Sequence, residues 1–446
     1  MTISAKPPTF CPPEYLINSI KRKRSGLTLT CEEVQKIITD FLAGEVADYQ
    51  MSAWLATLAT AGIDMQETEF LTRAYVNSGK QIDLSNIPGP VIDKHSTGGV
   101  GDKVSLIVVP LVASCGVTVF KLSGRGLGYA GGTIDKLESI PGLKLNLSAS
   151  EACFIARQVG MIITAQSSEL APGDEATYKL RDVTGAVENI SLIAASIISK
   201  KVTVGADALL LDVKTGLGAL IQEQKEAYKL ADTMIKLAKQ FGINANAVLS
   251  DMSQPLGYAV GNIIEVKEAL VVLRGGVIPR LTELCQELAK QMLCLADPSL
   301  PEVAAEQKIK KALQTGAAYE QFQRWLSAQG ADLSYIKNPE KFPSAKNRVQ
   351  IKSPLSGWLQ EVNPRMIGMA GLCVGAGRVK ESAQLDHTAG VMLYYQIGDK
   401  VKTGEVLAEL YYNNGDANRA VNLIRSAFII SETANAARPI IHGHIK

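Results

Sequence analysis

VIDKHSTGGVGDKVSLIVVPLVASC, residues 91–115, decides the fold. VIDKH reads as a short strand. STGGVGD follows as a polar loop with three glycines. The rest, from Lys103, is an almost uninterrupted apolar run with Pro110 inside it, which fits a buried, kinked helix. Strand, glycine-rich loop and helix form the opening unit of a mainly parallel α/β sheet, whose ligands gather at the carboxyl ends of the strands. The same order repeats at once: VTVFKLS (117–123) is a strand, GRGLGYAGG (124–132) a loop, and a helix starts at Thr133. GMIITA (160–165), ALLLDVKTG (208–216) and NAVLSDM (246–252) are three further apolar strands, with helices over 223–241 and 262–274.

What precedes this unit is helical. Residues 32–44, 49–62 and 65–79 carry apolar positions at helical spacing and stop on glycine. NSGKQIDLSNIPGP (77–90) breaks the pattern as a linker. AVENISLIAASIISKK (186–201) is a helix that interrupts the strand–helix alternation. Packed back on the first helices, it would make the chain cross between two domains three times. From about Arg348 strands dominate again, and 390–413 has the look of a small biotinyl or lipoyl barrel. It lacks the Met-Lys-Met turn that carries a cofactor, so a structural role is expected.

Composition narrows the function. Forty-six Lys and Arg against 44 Asp and Glu leave a formal +2, which gives no electrostatic footprint for nucleic acid. KRKR (21–24) reads as the cationic end of a helix. The seven cysteines (Cys11, Cys31, Cys115, Cys153, Cys285, Cys294 and Cys373) are scattered without a C-x-x-C pair, as in a reduced, cytoplasmic protein. Residues 1–13 are polar and proline-rich, unlike a signal peptide, and no apolar run is long enough to span a bilayer, so no membrane partner is expected.

GLGYAG (126–131) fits the G-x-G-x-x-G dinucleotide pattern, but no strand-ending carboxylate follows at the required distance, and no Walker A loop occurs. Two glycine-rich loops after successive strands are better explained as halves of one anion site. Glycines let backbone N–H groups converge on an oxyanion, and a following helix adds its positive end. Lys94 supplies a full charge there, and Ser96, Ser105, Ser123 and Thr133 supply neutral donors. His95, one of four histidines, stands at the strand end beside them.

KHSTGGVGDKVSL, SGRGLGYAGGTIDKLESIPG, YKLRDVTGAVENISLIAASIISKK, SDMSQPLGYAVGNIIEVKEAL, and the later GAGR and GDKVKTGEVLAEL resemble the thymidine phosphorylase and pyrimidine-nucleoside phosphorylase family, from about Glu14 to Arg425. The resemblance implies reversible phosphorolysis, a nucleoside-salvage reaction: pyrimidine nucleoside plus inorganic phosphate gives base plus pentose 1-phosphate. It implies a small all-helical domain (14–76 and 174–203) and a larger mainly parallel α/β domain (90–165 and 206–340). A C-terminal α+β barrel-like domain (346–440) would follow them. The first two would close over a cleft, hinged at 77–90, 166–173 and 202–205, in a homodimer formed through the helical domain. Lys94, Ser96, Ser105, Lys121, Ser123 and Thr133 would hold phosphate. His95, Arg181, Ser196 and Lys200 would hold the pyrimidine, with His95, Arg181 and Lys200 acting on the departing base.

Three departures from the family pattern stand out. Tyr129-Ala130 replaces the usual His-Thr in the second loop. Leu220 replaces a phenylalanine near the base, which would widen the pocket. Lys103 replaces a threonine with which cation-binding members hold potassium opposite the residue matching Glu268. No cofactor is therefore expected: a potassium ion is one alternative, and a Lys103 ammonium paired with Glu268 in its place is the other. An anthranilate-type phosphoribosyltransferase shares the helical-plus-α/β plan and is the rival enzyme, but it would need a magnesium-binding acidic cluster that the sequence does not display. No residue reads the 2′ position, so thymidine and uridine both stay open as substrates.

Overall fold

The computed structural model describes residues 13–126, 128–378, 380, 383–435 and 438–446. Cys11, the proline-rich segment up to residue 12 and Leu127 of the second glycine loop lie outside the described residues. The chain divides into two compact units. One runs up to Gln81 and adds Ser168–Thr203 and Lys236–Phe241; the other holds the remainder.

The first unit is helical. It contains α1 (Glu14–Arg24), α2 (Cys31–Leu42), α3 (Asp48–Ala61) and α4 (Met65–Asn77). Local chemistry sets the starts of α2 and α4: Thr30 with Glu33, and Asp64 with Glu67, form reciprocal capping boxes. Val34, Ile37, Ile38, Trp54, Leu55 and Leu58 then fill a shared apolar core. Trp54 is fully buried, and its indole N–H donates to Ser19 Oγ at 3.1 Å, joining α3 to α1. The basic run at the end of α1 is not wholly solvated, because Lys23 turns inward. Its ammonium lies 2.6 and 2.8 Å from the two oxygens of Glu67, which also accepts the Leu29 N–H.

The second unit carries the sheet. Its strands are β1 (Val91–Ser96), β2 (Thr118–Ser123), β3 (Met161–Ala165), β4 (Ala208–Thr215) and β5 (Asn244–Asp251), all parallel, in the order β5-β4-β1-β2-β3. The strand Ile441–Ile445, beyond the 346–440 expected for the C-terminal domain, pairs antiparallel with the outer edge of β5. The helices that follow the first strands are α5 (Val104–Ser114), α6 (Thr133–Glu138) and α7 (Ala149–Val159). Every α5 residue from Val104 to Val112 is buried, Pro110 included. A helix apolar all round belongs in a core. Of the later helices, α8 (Pro172–Thr184) and, up to Thr203, α9 (Ile190–Val204) belong to the first unit, α10 (Gln224–Gln240) is divided between the two, and α11 (Ile263–Leu273) follows β6 (Ala259–Gly261) in the second.

Residues 346–440 carry antiparallel sheets of their own. They fall in the same compact unit as the parallel sheet. The reason is that β6 joins their four-stranded antiparallel sheet through Gly390–Leu393, and Val100 and Val260 enter their apolar cluster. A three-stranded antiparallel sheet accompanies it, so the barrel-like expectation takes the form of two sheets.

Removing the Lys23 ammonium strands the buried Glu67 carboxylate. Lys23→Met is expected to cost the helical unit about 3 kcal/mol and lower its calorimetric transition. Arg24→Met, one residue further on and exposed, should leave that transition unmoved.

Candidate active site

Side chains alternate along a strand, so β1 presents Lys94 and Ser96 on one face and Asp93 and His95 on the other. Lys94 is fully buried, and its ammonium sits 2.9 Å from Asp212 Oδ2 on β4. Lys214, two residues along β4, reaches the same oxygen at 2.8 Å, and the Ser250 hydroxyl of β5 donates to the other at 2.6 Å. The loop that follows β1 hangs from β4 as well. Thr97 N–H donates to the Asp212 carbonyl, and Thr97 Oγ1 accepts the Lys214 N–H at 2.9 Å. Ser96 Oγ donates to Asp102 Oδ2 at 2.6 Å and accepts the Gly98 N–H at 3.1 Å.

Burial alone would push the Asp102 carboxyl up. The ammonium groups of Lys214, Lys94 and Lys136 and the Ser96 hydroxyl outweigh it and hold the group far below the usual carboxylate range. Asp212 is lowered in the same way, against burial, by Lys214 and Lys94. Lys214 is raised: burial opposes its charge, but Asp212 and Asp102 favour it more.

The second loop is closed at its neck by one carboxylate. Asp135 Oδ2 accepts the N–H groups of Gly126 (2.7 Å) and Gly132 (3.1 Å). The two glycines pass so close that a Cβ on either would collide with the backbone of the other side. Asp135 Oδ1 accepts from Arg378 Nη1, and the Arg378 carbonyl accepts the Gly128 N–H at 2.8 Å. Tyr129 packs beside Gly368, with the Arg365 guanidinium 5.4 Å from its ring centre. The aromatic departure from the family pattern thus lies against the helix Pro364–Cys373. Lys136 links the two loops, donating to the carbonyls of Asp102 (2.9 Å) and Gly131 (3.2 Å) and pairing with Glu265 at 3.0 Å. Lys121 donates to the Lys94 carbonyl at 2.7 Å. Ser105 and Ser123 are buried on α5 and β2, Thr133 begins α6, and Leu220 is exposed.

The helical unit holds a second constellation. Ser196 and Lys200 lie one turn apart on α9, and the Lys200 ammonium donates to Ser196 Oγ at 3.0 Å and to Asp174 Oδ2. Asp174 Oδ1 is buried without a hydrogen-bond partner. Arg181 is placed differently from a free base ligand. It is fully buried, and its Nε, Nη1 and Nη2 donate to the carbonyls of Ala186 (3.0 Å), Leu192 (3.2 Å) and Val187 (3.0 Å). Two of its five N–H donors are left over from these bonds. Sequence reasoning missed Asp102, Asp135, Asp174, Asp212, Lys136, Lys214 and Arg378. Asp212-x-Lys214 was the readable signal, a charged pair on one face of an otherwise apolar strand.

Three family descriptions match in chain order. They are the glycosyl transferase family, helical bundle domain (17–79); the glycosyl transferase family, a/b domain (88–319); and the pyrimidine nucleoside phosphorylase C-terminal domain (358–431). Fold and site together thus define the class, a glycosyl transferase of helical-bundle and α/β build. Among curated relatives, pyrimidine-nucleoside phosphorylase of Geobacillus stearothermophilus is 42% identical over 430 residues, covering 96% of this chain and 99% of its own. That of Staphylococcus epidermidis is 41% identical over 427 residues, covering 96% and 98%. The chain belongs to the pyrimidine-nucleoside phosphorylase family. Among solved structures, anthranilate phosphoribosyltransferase of Thermus thermophilus shares the fold, with a TM-score of 0.56 at 18% identity over 70% of this chain and 99% of that one.

A carboxyl held below its unfolded value stabilises the fold above that value, about 4, and the contribution drains away as pH falls towards the lowered one. Asp102→Asn is therefore expected to melt at a lower temperature than the wild type at neutral pH. The gap should narrow on acidification, as read from melting curves between neutral pH and pH ~3.

Proposed function

We propose that the chain catalyses the reversible phosphorolysis of pyrimidine nucleosides. The observation that carries this reading is its 42% identity, over 96% of its length, to a pyrimidine-nucleoside phosphorylase. A phosphate oxygen bonds to C1′ as the C1′–N1 bond breaks, and the bonding pair leaves with the base. Phosphate is already a nucleophile, so it needs positioning and not a strong base.

Lys94, Ser96, Ser105, Lys121, Ser123 and Thr133 are assigned to phosphate. In support, the ammonium groups of Lys94, Lys121, Lys136 and Lys214 gather at the two glycine loops, partnered by Asp102, Asp212 and Glu265 among others. Cations gathered at glycine-rich loops suit an anion. His95, Arg181, Ser196 and Lys200 are assigned to the pyrimidine. Lys200, steadied by Asp174, offsets negative charge as it builds on the departing ring. His95 donates to a ring carbonyl oxygen, and Arg181 acts through its two remaining donors. Thymidine and uridine are both proposed substrates. A homodimer formed through the helical domain, in the cytoplasm, completes the proposal; the six described cysteines, all unpaired, agree with a reducing compartment.

The deciding assay follows the ultraviolet absorbance of uridine or thymidine. A change that requires inorganic phosphate is expected, and no change with phosphate present would overturn the reading. In Lys94→Met, Asp212 keeps Lys214 and Ser250 as partners, so folding should survive. kcat/KM for phosphate should fall by roughly 10²–10³-fold. Near-normal rates in that variant would refute the role given to Lys94.

A further inference from the structure

Lys103 ends the first glycine loop, immediately before α5, and its side chain is fully buried. Its ammonium donates to the carbonyls of Leu256 and Ala259, each at 2.8 Å, and to Glu268 Oε2. Those three bonds use every N–H it has. Glu268 in turn accepts the backbone N–H groups of Tyr258 (2.7 Å) and Ala259 (3.1 Å), so residues 256–259 wrap around one positive charge. Gly257, at φ +75°, lets the turn close: a Cβ there would stand 2.6 Å from Glu268 Oε2.

Two converging carbonyls and a carboxylate make a donor set that replaces the hydration shell of a potassium ion. The family resemblance implies such an ion here, yet the residues present do not fit one. The ammonium occupies the point where the oxygens converge, and an ion beside it would meet a like charge in a site that excludes water. We infer that Lys103 is a built-in substitute for the monovalent cation, and that this part of the fold needs no added ion. The inference concerns folding and does not depend on the phosphorylase reading.

Melting curves without substrate test it. The wild type is expected to melt at the same temperature in potassium, sodium and choline chloride at equal ionic strength. Lys103→Thr leaves the Glu268 carboxylate without its counter-charge and should melt roughly 5–10 °C lower in choline chloride. Potassium should restore most of that loss, because the emptied oxygen cage then admits it. A wild-type melt raised by potassium over choline would overturn the inference. A Lys103→Thr melt indifferent to potassium would overturn it too. If Lys103→Thr does not yield folded protein, titration of the wild type with thallium(I), a potassium surrogate, keeps the question open to refutation. No binding is expected, and saturable binding would sink the idea.

Discussion

Two ammonium groups, those of Lys94 and Lys214, meet on one oxygen of Asp212, and none of the three side chains reaches solvent. Each of these charges would be costly alone in a dry interior, and only the shared carboxylate makes their burial tolerable. The sharing also joins β1, β4 and β5 at their carboxyl ends, since Lys94, Asp212 with Lys214, and Ser250 come from three adjacent strands. The first glycine loop is built on this junction through Thr97 and, by way of Ser96, through Asp102.

The two loops are held by different means. The first takes its order from strands that any parallel sheet would supply. The second depends on a residue more than two hundred positions away, because Arg378 clamps Asp135 and accepts from Gly128. The C-terminal segment therefore does more than enlarge the core: Arg378 supplies an ion pair that holds the neck of the second glycine loop. A hydrogen bond between charged groups in a shielded place is worth about twice a neutral one.

Much of this was legible in the sequence. The switch from helical to strand periodicity at Val91, and the glycine loops after β1 and β2, locate the sheet and its carboxyl-end loops because they are local signals. Residue types alone mark Lys94, Ser96 and Thr133 as candidate anion donors; that Lys94 rests on Asp212 and Ser96 on Asp102 is set by the fold. Long-range pairing is less legible. Arg181 looks like a ligand in sequence, and only the fold brings the carbonyls of Ala186, Val187 and Leu192 around it. Asp174 carries no sequence mark; it matters because α8 sets it against Lys200. IHGHI (441–445) alternates too weakly to announce a strand, and its place is fixed by β5 and not by its own propensity.

That last strand has a consequence for how the protein is made. The parallel sheet would otherwise leave the outer edge of β5 exposed, a row of unmatched backbone groups open to any passing chain. Its cover is translated some two hundred residues later. Until Ile441–Ile445 is in place, a chain whose parallel strands have already paired carries one open edge, the kind of surface through which partly folded chains associate.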